Sequence, residues 1–151
     1  MGTKNTTKVI CHGLTMVAQY GQWDGYPSGT GIDVLSFLKN IDLSIFKKMV
    51  LKCSPLNKEE IKELNGLIAS KELTLPKEYN RDTGSNILDI IYKGDCRNNK
   101  LLIHSGNEEW NYTIDLDRRE LIVVGYTEFI FDLGDLPTEE LFLKILEEDD
   151  E

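Results

Sequence analysis

The segment over residues 19–31 concentrates groups that suit recognition of another molecule. It reads QYGQWDGYPSGTG and contains two Tyr, one Trp, one Asp and four Gly. Aromatic rings with polar tips stack on bases, sugars or protein side chains, and neighbouring polar groups add directional hydrogen bonds. The segment therefore predicts a recognition surface lined by Gln22, Trp23, Asp24, Tyr26 and Ser28. A structural reading is equally open, in which the rings cover the end of the core and the glycines bend the backbone beneath them.

The end of the same segment carries backbone groups that suit an anion. Gly29, Thr30 and Gly31 lead into a predicted helix, and the first N–H groups of a helix have no partner within it. These three residues predict a modest anion site. Their spacing is not that of a phosphate loop, because neither G-x-G-x-x-G nor G-x-x-x-x-G-K-[ST] is present. Thr30 with Asp33 also predicts a capping box at the start of the helix.

Two polar features near this segment have alternative interpretations. Asp24 lies in a Gly-rich turn, where its carboxylate either accepts a backbone N–H in an Asx turn or belongs to the recognition surface. The stretch NRDTGSN places Arg81, Asp82, Ser85 and Asn86 near a second helix start. This cluster is either a capped turn or a neighbour of the aromatic loop, and the sequence leaves both open.

The residues that most often catalyse reactions are not arranged for catalysis. Cys11 and His12 are adjacent on a predicted strand, so their side chains point to opposite faces. Three Cys and two His match no zinc spacing, and YPSGTG is not G-x-S-x-G. We therefore predict no catalytic residue, no metal and no cofactor. The alternative is a small hydrolase acting on a nucleotide-like or amide substrate, in which Asp24, His104 or a Cys meet in one cleft.

Charge and composition exclude several classes of partner. The chain has 151 residues and a net charge of −9, which disfavours direct nucleic-acid binding and anionic membrane surfaces. An acidic chain suits a basic partner, although moderate acidity also serves solubility alone. Three widely spaced Cys, no secretory leader and no apolar run of about 20 residues predict a cytoplasmic protein.

Residues 6–94 are predicted to contain a hairpin and four helices. The hairpin strands cover residues 6–12 and 14–20, meet at Gly13 and lie centrally in the sheet. The helices cover residues 32–40, 43–52, a segment that opens with a capping pair of Asn57 and Glu60, and residues 86–94. Ser85 is predicted to cap the fourth helix, and Gly94 to end it.

The C-terminal third is predicted to be a β-meander followed by a helix. The strands cover residues 100–104, 110–117 and 121–133, with a bulge at Gly125. The last helix starts at Pro137 and buries Leu141, Phe142, Ile145 and Leu146. The sum is a single α+β domain over residues 1–151, with a mostly antiparallel sheet, about five helices and an acidic tail at 147–151.

The start of the chain resembles a largely uncharacterised group of small bacterial and phage proteins. Those proteins begin Met-Gly-Thr-Arg, form a hairpin and then carry Gln-Trp-Asp-Gly-Tyr-Pro-x-Gly-x-Gly before a helix that ends in Phe-Leu. Here the motif covers residues 22–31, Phe37 and Leu38 follow, and Lys4 replaces the Arg. A Trp-x-Tyr-x-Ile-Asp-Leu-Asp strand matches residues 110–117.

The resemblance implies a shared fold and supplies no established activity. Its phage association implies an anti-defence inhibitor of phage or prophage origin, which binds a host immune protein or that protein's nucleotide ligand in the host cytoplasm. A homo-oligomer remains open. The resemblance to amidohydrolases that use an N-terminal nucleophile stops at the hairpin and the late strand, because processing here exposes Gly2 instead of Cys, Ser or Thr.

Overall fold

The chain forms a five-stranded sheet, a separate two-stranded sheet and, within its described part, five α-helices. A computed structural model describes residues 3–70, 79, 83–96, 99–104 and 108–148. The elements are β1 (Asn5–Cys11), β2 (Leu14–Gly21), α1 (Ile32–Lys39), α2 (Leu43–Leu51), β3 (Ser54–Pro55), α3 (Lys58–Ser70), α4 (Asn86–Tyr92), β4 (Lys100–Leu101), β5 (Trp110–Asp115), β6 (Glu120–Val124), β7 (Glu128–Asp132) and α5 (Glu139–Glu148). This architecture confirms the predicted α+β fold.

The order of the strands in the main sheet is β2-β1-β5-β6-β7. β1 pairs antiparallel with β2 and parallel with β5, and the remaining pairs are antiparallel. β1 is therefore interior as predicted, whereas β2 is an edge strand, so the hairpin as a whole is not central. The sheet has two ends that matter below. The loop end holds Gly21 and Trp110, and the hairpin end holds the turn at Gly13 together with Asp115.

One face of the sheet forms the floor of the core. Val9, Tyr112, Ile114 and Leu121 are fully buried there, and the ring of Phe142 on α5 lies 5.3 Å from that of Phe131 on β7. Each fully buried aliphatic or aromatic side chain contributes roughly 1.5–3 kcal/mol to folding. The helices add further buried residues to the same cluster, namely Val34, Leu35, Leu38, Phe46, Val50, Ile87, Leu88 and Ile91.

Two strand predictions are wrong. Residues 100–104 do not belong to the meander, because β4 pairs parallel with β3 in the small sheet. Residues 121–133 do not form one strand, because β6 and β7 are separate strands joined by a turn at residues 125–127. The predicted bulge at Gly125 is instead the start of this turn, and a Cβ there would lie 2.6 Å from the ring of Trp110. A glycine is required because the indole occupies that space.

Some of the predicted helix caps are present in the structure and others are not. The Asn57 side chain accepts the Glu60 N–H at 2.8 Å, and the Glu60 carboxylate accepts the Asn57 N–H at 3.0 Å, which confirms the capping pair. Ser85 precedes α4 but makes no capping hydrogen bond through its side chain. Thr138 caps α5, so that helix begins at Glu139.

The predicted buried residues of α5 differ in exposure. Phe142 and Leu146 are buried and Ile145 is half-buried, whereas Leu141 is 47% exposed and the prediction for it is wrong. Most of the connector between α3 and α4, including Arg81 and Asp82, lies outside the described residues. Across the described ranges, no helix combines the length and apolar character needed to cross a membrane.

Candidate functional site

The rings of the aromatic segment point in different directions. We call residues 21–31 the Trp23 loop, which connects β2 to α1 at the loop end of the sheet. Trp23 is 50% exposed and Tyr26 is 57% exposed, so neither ring is a lid on the core. Tyr20, on β2, is half-buried with its ring centre 5.1 Å from that of His104. The interpretation in which the rings cover the end of the core therefore does not apply to Trp23 and Tyr26.

Hydrogen bonds from distant residues hold the backbone of the Trp23 loop. The Gly25 N–H donates to the Thr3 carbonyl at 3.0 Å, and the Asn5 side-chain amide donates to the Trp23 carbonyl at 3.1 Å. The buried Tyr112 hydroxyl donates to the Gly25 carbonyl at 2.7 Å. Burial raises the pKa of Tyr112, so this hydroxyl remains a donor at physiological pH. The exposed rings thus project from a well-anchored backbone.

Asp24 closes the loop through its backbone. Its carbonyl accepts the Thr30 N–H at 2.7 Å and the Thr30 hydroxyl at 2.8 Å, and its φ of 55° is left-handed. The predicted capping box is wrong, because the Thr30 hydroxyl makes this contact and α1 has no side-chain cap. The hydrogen bonds that close this turn are therefore accepted by the backbone carbonyl of Asp24. A Cβ at Gly29 would lie 2.5 Å from that carbonyl oxygen, which explains the glycine there.

The three residues of the predicted anion site use their N–H groups inside the loop. Residues 27–31 form a π-helical turn before α1. Gly29 and Gly31 donate to the Tyr26 carbonyl at 2.9 and 3.3 Å, and Thr30 donates to Asp24. This geometry argues against an anion site, since an anion needs N–H groups without another acceptor.

Two adjoining depressions lie beside the Trp23 loop. The smaller has a volume of about 170 Å³, and the larger, between α1 and α4, about 450 Å³. They share Asp33, Ser85 and Asn86, and we call them together the α1–α4 groove. The remaining lining residues are Gly21, Gln22, Trp23, Asp24, Thr30, Thr83 and Gly84 in the smaller part, and Ser36, Phe37, Asn40, Ile41, Asp89, Tyr92 and Lys93 in the larger.

The groove is acidic at the end next to the loop. Asp24 and Asp33 line the smaller depression, whereas both Asp89 and Lys93 line the larger one. Burial raises the pKa of Asp33, and the negative charge of Asp24 raises it further. Within the described ranges, none of these three carboxylates forms an ion pair. Two neighbouring carboxylates without a cation favour a positively charged occupant.

The structure brings together part of the predicted recognition surface. Gln22, Trp23 and Asp24 line the smaller depression, whereas Tyr26 and Ser28 are exposed without lining either part of the groove. Ser85 and Asn86 line the same depression as Gln22, Trp23 and Asp24, so these two residues are neighbours of the aromatic loop. Asp33 was missed as a site residue because its position on a helix suggested only a capping role. The helical period nevertheless places Asp33 one turn before Phe37, on the same face of α1, and this face lines the groove.

Neither a histidine nor a cysteine lines the depression that contains Asp24. His12 lies in the hairpin turn, and the eight-residue β2 separates it from the Trp23 loop by roughly 25 Å. The His104 ring instead contacts the Glu108 carboxylate at 2.7 Å and the ring of Tyr20. Cys11 is buried in the core, and burial raises the pKa of its thiol. Cys11 therefore lies at the opposite end of the sheet from Asp24, and the depression lined by Asp24 contains neither His104 nor a Cys.

In the described part of the chain, no cluster of three or more His, Cys, Asp or Glu side chains is placed to hold an ion.

Comparisons with protein-family models, with curated proteins and with solved structures find no match.

Proposed function

We propose that the chain is a non-catalytic binding protein that recognises a partner protein through the Trp23 loop and the adjoining groove. The observation that carries this proposal is the exposure of Trp23 and Tyr26 on a backbone anchored by Asn5 and Tyr112. Exposed Trp and Tyr side chains supply much of the binding energy in protein interfaces. An anchored loop also loses little conformational entropy when it binds.

The charge of the groove favours a basic protein over a nucleotide. Phosphate groups placed near Trp23 would face the carboxylates of Asp24 and Asp33 and be repelled. A Lys or Arg side chain of a partner would instead neutralise these carboxylates and relieve the unfavourable environment of Asp33. The net charge of −9 would also accelerate association with a basic surface.

The resemblance to bacterial and phage proteins suggests which partner to test first. We propose that the partner is a component of bacterial defence, occupied in the host cytoplasm. The test is phage infection of bacteria that carry a defence system and express either this chain or its Trp23→Ala variant. The wild-type chain is expected to restore plaque formation and the variant to lose most of that effect. Equal restoration by both would contradict recognition through Trp23.

Binding itself is tested by affinity capture from bacterial lysate, followed by titration with the purified captured protein. Trp23→Ala is expected to weaken binding at least tenfold, by analogy with an interface anchor worth about 2 kcal/mol. Its melting temperature is expected to stay within about 2 °C of wild type, because surface substitutions change stability little.

The matched control is Leu14→Ala, which removes an exposed apolar side chain at the hairpin end. It is expected to bind like the wild type. If both variants bind like the wild type, the Trp23 loop is not the recognition surface. If Trp23→Ala is also strongly destabilised, the ring is structural and the proposal fails.

A further inference from the structure

A third concavity lies at the hairpin end of the sheet, away from the Trp23 loop. Its volume is about 290 Å³, near the lower limit of small-molecule pockets, roughly 300 Å³. It lies between the first turn of α2, the turn that joins β5 to β6 and the residue that follows β7. Its lining residues are Leu43, Ser44, Lys47, Leu116, Arg119 and Leu133.

The pocket combines an apolar wall with two cations. Leu116 and Leu133 are buried members of the core, and Leu43 packs against it. Lys47 and Arg119 are exposed, and in the described ranges neither forms an ion pair.

The position of Arg119 is imposed by the turn that carries it. Arg119 has a left-handed φ of 57°, and its carbonyl accepts the Leu133 N–H at 2.9 Å. The Asp115 carboxylate accepts the N–H groups of Asp117 and Arg118, both at 3.0 Å. A non-glycine residue held in this conformation costs energy, and such strain is concentrated at functional sites. The turn therefore holds Arg119 at the rim of the pocket.

Asp117, which follows Leu116 in the same turn, has another role. The Asp117 carboxylate accepts the N–H groups of His12 and Gly13, each at 2.8 Å. Lys47 lies near enough for its charge to act on Asp117, but the two do not form an ion pair. The two N–H groups hold the Asp117 carboxylate at the hairpin turn, and in the described ranges the Lys47 ammonium forms no ion pair.

We propose that this pocket binds a small amphipathic anion, a medium-length aliphatic chain that ends in a carboxylate or a phosphate. The chain would lie against Leu43, Leu116 and Leu133. The headgroup would contact Arg119, whose guanidinium suits two-point hydrogen bonding to carboxylate and phosphate, and Lys47 as a second positive charge. The proposal is independent of recognition through the Trp23 loop.

The test is an NMR titration of the full chain with four probes that share an eight-carbon chain: octanoate, octyl phosphate, octanol and octylammonium. The two anions are expected to bind and to shift the signals of Leu43, Leu116 and Leu133. Affinity for octanol should be at least about tenfold lower, octylammonium should not bind, and salt should weaken the anions. The tighter anion identifies the headgroup. Equal binding of octylammonium, or shifts centred on the α1–α4 groove, would overturn the proposal.

Charge-removing variants test the two cations. Lys47→Gln is expected to weaken octanoate binding about tenfold, and Lys48→Gln, one residue away on α2 and outside the pocket, should leave it unchanged. Arg119→Gly also removes a charge, and it keeps the turn because glycine adopts a left-handed φ readily. Its matched control is Arg118→Gln. Octanoate affinity unchanged in both Lys47→Gln and Arg119→Gly would refute the assignment.

Discussion

The two ends of the main sheet use aspartate in opposite ways. At the hairpin end, the Asp117 carboxylate accepts two backbone N–H groups, and these hydrogen bonds lower its pKa. At the loop end, burial and the charge of Asp24 raise the pKa of Asp33. The same residue type thus stabilises a turn where N–H groups meet it, and remains available for a partner where they do not. This difference separates structural carboxylates from candidate recognition carboxylates.

The concavities at the two ends also differ in the charge of the side chains that line them. The smaller depression of the α1–α4 groove carries Asp24 and Asp33, whereas the hairpin-end pocket is apolar with Lys47 and Arg119. These two concavities lie toward opposite ends of β2, a strand roughly 25 Å long. The larger depression, lined by both Asp89 and Lys93, reaches Ile41, two residues before Leu43 of the pocket. The predictions below test how far the two ends differ in stability and in charge.

The largest expected effect is on the framework of the loop end. Gly29→Ala places a Cβ 2.5 Å from the Asp24 carbonyl oxygen, so the loop must shift. We expect a loss of about 3 kcal/mol in the free energy of unfolding, as for overpacked sites, measured by urea denaturation. The control is Gly66→Ala in α3, where the added Cβ meets nothing within 4 Å and should stabilise by about 0.5–1 kcal/mol. Equal stability of both variants would show that the loop is not tightly packed.

A smaller loss is expected from Tyr112→Phe. It removes the donor to the Gly25 carbonyl and leaves that buried oxygen without this partner. The expected loss is about 1–2 kcal/mol in the free energy of unfolding, together with weaker partner binding because the loop is released. Tyr126→Phe, at a side chain that is 88% exposed, is the matched control and should change neither quantity. A Tyr112→Phe variant as stable as wild type would mean that the anchoring hydrogen bond is dispensable.

At the hairpin end, Asp117→Asn is expected to lower the melting temperature at neutral pH by a modest amount. Asn offers one acceptor oxygen in place of the two that meet His12 and Gly13. Since the folded-state pKa of Asp117 is lowered, its stabilisation is present above the unfolded-state pKa of about 3.9 and disappears as pH falls through the folded-state value. Melting curves between pH 7 and pH 2 should therefore converge for the two proteins. The exposed Asp135→Asn serves as the control.

The smallest expected effect, and the only one of opposite sign, is from Asp33→Asn. The folded-state pKa of Asp33 is raised, so its extra stability exists below the unfolded-state pKa of about 3.9 and is lost as pH rises through the folded-state value. At neutral pH the variant should equal or exceed the wild type by less than about 0.5 kcal/mol, because solvent screens this side chain. Partner binding should nevertheless weaken. A clear loss of stability at neutral pH would make Asp33 structural, like Asp117.

The sequence predicted well those elements that depend on neighbouring residues. The hairpin follows from two β-rich runs that meet at Gly13, and the Asn57–Glu60 pair follows from two side chains three positions apart. The same local information failed at residues 121–133, where a turn separates β6 from β7. The glycine at the start of this turn is required by the ring of Trp110, fifteen positions earlier. Composition likewise indicated an acidic surface without indicating where the charges collect.

The candidate site likewise has features that the local sequence predicted and features that depended on tertiary contacts. The types and order of Gln22, Trp23 and Asp24 marked the loop as a recognition segment before any fold was considered. Whether Trp23 points outward depended on contacts of the loop with Thr3, Asn5 and Tyr112. Thr3 lies just before β1, and the parallel pairing of β1 with β5 brings Asn5 and Tyr112 together.

Local periodicity and capping chemistry act over a few residues and can be read from the chain, whereas strand pairing joins residues about one hundred positions apart. That pairing decided which aspartates meet N–H groups, which remain unpaired, and where Lys47 and Arg119 come together.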